Sequence, residues 1–354
     1  MFFYVSIFVI LLILATIEVV LRNKKISIIT GSILAIVAGF RFYTGYDFNS
    51  YGKFYTEIEK FSDVFNGKIE AESGFLFLNY LFKSMGFNYY TFILFFSFVS
   101  LILLTNFVYK FTPFPSLVLL YYYARFFLVR DMGQIRSALA CIILLYSIPY
   151  VLNKKPFKFL LIIFIASLFH ITAWSFIIVY IFHYVFKHLS LKNIFSLLGI
   201  SLIVGIIVQI PQIYIWAIPD RYNAYFTSPN YTNGQWIFNP ILWMQLVLFF
   251  AAVFLAYPKI QEEKNRFNLL LKIYFIASLI LIFTGTLSTV GGRLGTLFST
   301  SEILIVPTLF SSFSKNKLIN LFLFFGFTFV VFCLIFIISG TYIEYIPYET
   351  IFSF

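Results

Sequence analysis

The chain has 354 residues but only two cysteines, three histidines and 14 acidic side chains. Cys141 and Cys333 each sit inside an apolar run, so they read as buried thiols and not as a disulfide or a metal pair. The sequence contains no HExxH, no clustered Cys and His, no DxD-like pair and no P-loop, so nothing in it asks for a metal, a nucleotide or another cofactor. Charged residues make up 11%, which leaves no stretch that reads as a soluble domain. The first run, Phe2–Leu21, lacks a small-residue cleavage site and is too long for a signal peptide, so it reads as a first span. With no transporter-like internal repeat and no low-complexity segment, residues 1–354 read as one integral membrane domain.

What is present is apolar. The chain is 61% hydrophobic and 22% aromatic, with a mean hydropathy of +0.93, values of the polytopic membrane class. Spans are expected at roughly 2–21, 26–40, 90–109, 114–129, 137–152, 194–215, 239–257, 267–288, 294–312 and 318–340. The connections Arg22–Lys25, Lys110, Asn153–Lys155, Lys187–Asn193, Pro258–Arg266 and Lys315–Lys317 are basic, and the positive-inside rule puts them in the cytoplasm. They account for nearly all of the net charge of +11, so nucleic acid is not implied. Residues 158–186 join two inside connections and break parity as a single span. Two half-length helices of about 13 residues, roughly 20 Å each, with an apex at His170-Ile171-Thr172, restore it. Such a re-entrant pair must be buried in protein or line a cavity. One long tilted helix is the alternative. The fold class is therefore an all-α polytopic membrane protein of about 11–12 helices, some short or re-entrant.

The outside connections are then 41–89, 130–136, 216–238, 289–293 and the tail from Thr341. The first holds six of the 14 acidic residues and an apolar stretch, Gly74–Lys83, too short to span and expected to lie in the interface. Lysine and arginine separate: 12 of 17 Lys fall in or beside the inside connections, whereas Arg41, Arg130, Arg136, Arg221 and Arg293 fall at outer helix mouths. A guanidinium binds phosphate or carboxylate through a planar fork and keeps its charge. Arginine on the side that the rule disfavours therefore points to an anion site.

The strongest cluster is Arg130-Asp131-Met132-Gly133-Gln134-Ile135-Arg136, where two arginines for one acid leave surplus charge to grip a diphosphate. Asp131 merely neutralising both is the plainer reading. Arg41 and Asp47 flank a glycine turn, and Tyr43, Tyr46, Tyr51 and Tyr55 can form a sugar-stacking surface or only an aromatic belt. Glu72 precedes an apolar helix and serves either as its N-terminal charge or as a catalytic carboxylate. His170 stands alone in an apolar stretch, as a structural hydrogen-bonder or a functional group. Arg221, with Tyr222, pairs with Asp220 or faces a ligand; Arg293 has no acidic neighbour in sequence. Glu302 lies mid-span, with Arg125 as a candidate partner.

Four segments in order resemble the EpsG family of O-antigen and exopolysaccharide polymerases, of Wzy type. They are Arg41…Gly45-Tyr46-Asp47…Tyr51, Glu72-Ser73-Gly74-Phe75…Leu78-Asn79, Gln134-Ile135-Arg136-Ser137-Ala138-Leu139-Ala140, and Ala166…Phe169-His170-Ile171-Thr172-Ala173. The second half, after residue 190, carries little of the likeness. The third segment departs from the usual Ile-Arg-Gln order, because Gln134 here precedes Ile135-Arg136; which polar side chain meets substrate stays open. The resemblance implies a GT-C-like glycosyltransferase bundle in the bacterial cytoplasmic (inner) membrane. It would polymerise undecaprenyl-diphosphate-linked repeat units at the extracytoplasmic face, with lipid-linked donor and acceptor, membrane lipids and a chain-length regulator as partners. Asp47, His170 and Glu72 are then the candidate bases. Arg130, Gln134, Arg136, Arg221, Tyr222 and Arg293 are candidates for the diphosphate and substrate, with Tyr51 beside them and Arg41 orienting Asp47 or phosphate. A single displacement with inversion is expected. A lipid-linked oligosaccharide flippase and a membrane acyltransferase are the rival functions. The flippase expectation is charge deep in the bundle, whereas these groups crowd one mouth.

Overall fold

The computed structural model describes residues 1–352; Ser353, Phe354 and the side chain of Arg221 lie outside the described residues. The chain is an all-α polytopic membrane protein. Among the described residues, seven helices are long and apolar enough to cross a membrane, or eight if one bent pair counts as a span. They are α1 (Phe2–Leu21), α5 (Tyr89–Phe111), α7 (Ile135–Leu152), α10 (Leu191–Val208), α11 (Pro240–Lys259), α12 (Lys264–Phe283) and α15 (Lys317–Ile338). The bent pair is α13 (Ser288–Ser299) with α14 (Glu302–Ser311), turned by 53°. Helices α2 (Ile26–Gly39), α8 (Pro156–Ser167) and α9 (Ile171–Val185) are apolar but shorter. Within α9, Ile171–Phe176 is 3-10 helical. Helix α6 (Pro115–Tyr122) opens on Pro115 and continues as a π-helical turn through Phe127. A proline at the first helical position is preorganised and lacks only an N–H that had no partner.

Local chemistry explains the starts. Asn88 accepts from Thr91 N–H to cap α5, Ser190 from Asn193 N–H to cap α10, and Asn239 and Asn316 do the same for α11 and α15. Each supplies an acceptor to an N–H that the helix leaves unpaired. The 41–89 connection is not a loop. It carries two further helices, α3 (Phe48–Glu57) and α4 (Ser73–Ser84), and α4 covers the apolar stretch expected to lie in the interface. The expected 294–312 span is broken at Thr300-Ser301, and Gly291-Gly292-Arg293, expected in an outside connection, lies within α13. The 158–186 stretch breaks at Leu168–His170 between α8 and α9, which meets the expected apex His170-Ile171-Thr172 at His170.

The chain forms two compact units: Met1–Tyr146 with Phe164–Ile171 and Ser314–Phe354, and Ser147–Ile163 with Thr172–Phe313. In the first, α2 packs along α5, and an aromatic core of Phe48, Tyr51, Tyr55, Phe75, Phe92 and Phe96 sits under α3 and α4. The tail returns to this unit: β1 (Arg41–Phe42) pairs antiparallel with β2 (Glu349–Thr350), Arg41 opposite Thr350. Tyr345 is fully buried and donates to the Leu128 carbonyl at 2.6 Å. In the second unit α12 is the buried centre, against which α10, α11 and α13 pack, while α10 leaves most of its surface exposed.

Candidate functional site

The first unit gathers three of the four sequence segments around one ion pair. Glu72, the residue just before α4, hydrogen-bonds the Arg136 guanidinium through Oε2. Its Oε1 accepts the Ile171 N–H at 3.2 Å. Glu72 therefore makes no capping bond to its own helix; its oxygens reach across to α7 and to the α8–α9 break. The close fit depends on Gly74, whose N–H donates to the Leu168 carbonyl at 2.9 Å. A Cβ there would stand 2.7 Å from that oxygen. Both side chains of the pair stay partly open, Arg136 at 22% and Glu72 at 17%, so a ligand can reach them. His170 is half-buried and directly precedes the residue whose N–H Glu72 holds.

Arg136 also lies over aromatic rings, 5.6 Å from Tyr51, 5.4 Å from Phe54 and 5.6 Å from Phe75, near enough for cation–π attraction. Tyr51 donates to Asp47 Oδ2 at 3.3 Å. Burial pushes the Tyr51 hydroxyl pKa up, Asp47 adds to that rise, and Arg136 opposes it; the group stays a neutral donor. Glu72, Arg136, Tyr51 and Asp47 thus form one connected set that brings the fourth segment in. Asn79, on α4, is fully buried and gives its amide to the Phe75 carbonyl at 2.7 Å.

A second polar cluster in the same unit is closed. Asp131 is 2% exposed and accepts from Ser100 Oγ at 2.8 Å and from Tyr122 OH. Burial raises its pKa, against Tyr122, Ser100, Arg130 and Arg41. Arg130 is 2% exposed and stacks 3.9 Å from the Phe126 ring centre. Arg41 is 1% exposed, and its Nη1 serves the Ala38 carbonyl and Ser97 Oγ. It therefore does not orient Asp47 by a direct bond, and the expected Arg41–Asp47 pair does not form. Gly45, at φ +103°, lets the chain pass so close that a Cβ would meet the Met132 carbonyl at 2.1 Å. Only glycine takes that conformation freely.

The expected stacking surface is half buried. Tyr43 and Tyr46 are exposed, whereas Tyr51 and Tyr55 belong to the aromatic core. Gln134 lies half-buried at the start of α7. In the second unit Arg293 is exposed on α13, 3.4 Å from the Tyr225 hydroxyl and over its ring at 5.3 Å. Tyr222 is exposed beside Tyr225, with ring centres 6.5 Å apart. The backbone of Arg221 forms a short 3-10 turn with its neighbours. Sequence reasoning missed Ser100, Tyr122 and the tail's Tyr345, whose roles come from contacts distant in sequence. It also missed Glu18, which is fully buried inside α1 and binds the Ser116 N–H at 2.6 Å; a carboxylate inside an apolar run is a visible signal.

The comparisons bear out the family resemblance. The model of the EpsG family matches residues 24–350. The amylovoran biosynthesis protein AmsC of Erwinia amylovora is 26% identical over 263 residues, 73% of this chain and 69% of that protein. No solved structure matches.

Proposed function

The chain belongs to the EpsG family, and from that premise we propose that it is a polysaccharide polymerase. It joins repeat units carried on a lipid diphosphate, undecaprenyl diphosphate in bacteria, by glycosyl transfer at the extracytoplasmic membrane face. The likeness to an amylovoran biosynthesis protein supports a product of the surface or exopolysaccharide kind. The observation that carries the proposal is the half-open Arg136–Glu72 pair, locked to the α8–α9 break through the Ile171 N–H.

The pair supplies both halves of such a reaction. An incoming diphosphate competes with Glu72 for the Arg136 fork, since both are oxyanions that a guanidinium binds in the same way. As Arg136 turns to the leaving group, the Glu72 carboxylate is released to accept the proton of the acceptor hydroxyl. The acceptor oxygen bonds to the anomeric carbon, the carbon–oxygen bond to the diphosphate breaks, and the charge that develops on the diphosphate is met by Arg136. Asp47 and His170 are the other candidate bases, the first held by Tyr51 and the second beside Ile171. Arg293 with Tyr222, and Arg221, remain candidates for substrate, as do Gln134 and, after a rearrangement that exposes them, Arg41 and Arg130.

The test uses purified protein with one defined lipid-diphosphate-linked repeat unit. A ladder of glycans is expected from the wild type and none from Glu72→Gln. Transbilayer movement of the intact lipid in proteoliposomes, with no ladder, would replace the polymerase by a flippase.

A further inference from the structure

Between α2 and α5 the first unit opens into an apolar groove of about 460 Å3, within the rough 300–1,000 Å3 of ligand-sized pockets. Ile28, Ser32 and Ala35 line it from α2, and Ile102, Asn106 and Tyr109 from α5. Two of its polar groups are engaged within the protein: Asn106 gives its amide to Tyr146 OH at 3.0 Å, and the hydroxyl of Thr105 goes to the Leu101 carbonyl at 2.7 Å. To an occupant the groove is mostly apolar along its length.

One end is different. Lys24 reaches the Tyr109 carbonyl with Nζ at 3.4 Å and lies 5.9 Å from the Tyr109 ring centre, so an ammonium stands at the rim. Arg22 and Lys25 are exposed beside it in sequence, and Lys110 is exposed directly after Tyr109. The carboxylate near Lys24, Glu18, is fully buried and bound to the Ser116 N–H. An apolar trough with a basic end matches a lipid with an anionic headgroup. In the orientation that the lysines predict, this end meets the cytoplasmic leaflet, whose anionic lipids attract basic segments.

We propose that this groove holds one acyl chain of an anionic phospholipid, with its phosphate against Lys24 and with Arg22, Lys25 and Lys110 close by. The site is separate from the Arg136–Glu72 pair and independent of the polymerase reading.

The test is native mass spectrometry of the purified full-length protein, titrated with phosphatidylglycerol or with phosphatidylcholine of the same chains. The wild type should keep one phosphatidylglycerol with about a tenfold preference or more, the effect of a few basic side chains near a headgroup. Lys24→Glu should remove the preference, and Ser32→Trp, which fills the trough from an exposed position, should remove the bound lipid. A phosphatidylglycerol carrying a photoreactive group on its chain should label the wild type within 28–35 or 98–109, a readout that needs no variant to fold. Equal retention of both lipids, labelling elsewhere, displacement of the bound lipid by a neutral polyprenol, or a second copy of this chain protecting the groove would each overturn the proposal.

Discussion

Two arginine clusters lie in the same unit and behave oppositely. Arg136 and Glu72 form a half-open pair bound to aromatic rings on one side and to the α8–α9 break on the other. Arg130, Asp131 and Arg41 form a sealed cluster, each 1–2% exposed and held by Ser100, Tyr122, Ser97 and Phe126. In sequence Arg130 and Arg136 look equivalent, six positions apart around one short turn. Burial separates them. A charge sealed in a membrane bundle serves the fold, because removing its partner leaves it uncompensated; a charge with an open edge can exchange its partner for a ligand.

The largest expected effect tests the sealed cluster. Asp131→Ala leaves Ser100 and Tyr122 without their acceptor and the neighbouring guanidinium charge uncompensated, so stability should fall by about 3–5 kcal/mol. Thermal unfolding and the amount of protein in membranes measure this; wild-type levels would erase the distinction between the clusters. Next, Arg136→Lys keeps the charge and loses the fork. Polymer formation should drop roughly a hundredfold, the scale for losing a donor at a developing charge, while the protein still accumulates. Normal polymer length and amount would reduce Arg136 to a topology charge. Gly74→Ala should cost about 1–3 kcal/mol by overpacking, because the Leu168 carbonyl cannot yield easily, and its damage should include the activity that depends on Glu72 meeting Ile171. Unfolding and glycan ladders read side by side would show a stability loss without an activity loss if the α4 contact with the break is irrelevant. The smallest effect belongs to the exposed Tyr43. Tyr43→Ala should change stability by no more than about 0.5 kcal/mol and polymer yield only a few-fold, in contrast to Tyr55→Ala in the aromatic core.

The contrast also shows where reading the sequence stopped. Span positions, the break near His170 and the short helix over Gly74–Lys83 were legible, because apolar run length and helix rise act locally. The grouping of Glu72 with Arg136 was not, nor was the use of Glu72 away from its own helix cap, since its partners lie 64 and 99 residues away. The bend at Thr300-Ser301 hid inside an apolar run that reads as one span. Tyr51 and Tyr55 looked like the exposed Tyr43 and Tyr46 because tyrosine suits both a wet rim and a packed core.

From residue order alone came the membrane class, the helical architecture, the family resemblance and a list of candidate charged groups. The class and architecture follow from hydropathy, helical period and charge count, and the resemblance from four ordered segments; no distant contact alters any of these. Which of those charges is sealed and which is open, and that a carboxylate before α4 meets a guanidinium on α7 and a backbone N–H at the α8–α9 break, came only from the packed chain. Burial is a property of what lies against a side chain, and in a bundle those neighbours come from elements far apart in sequence.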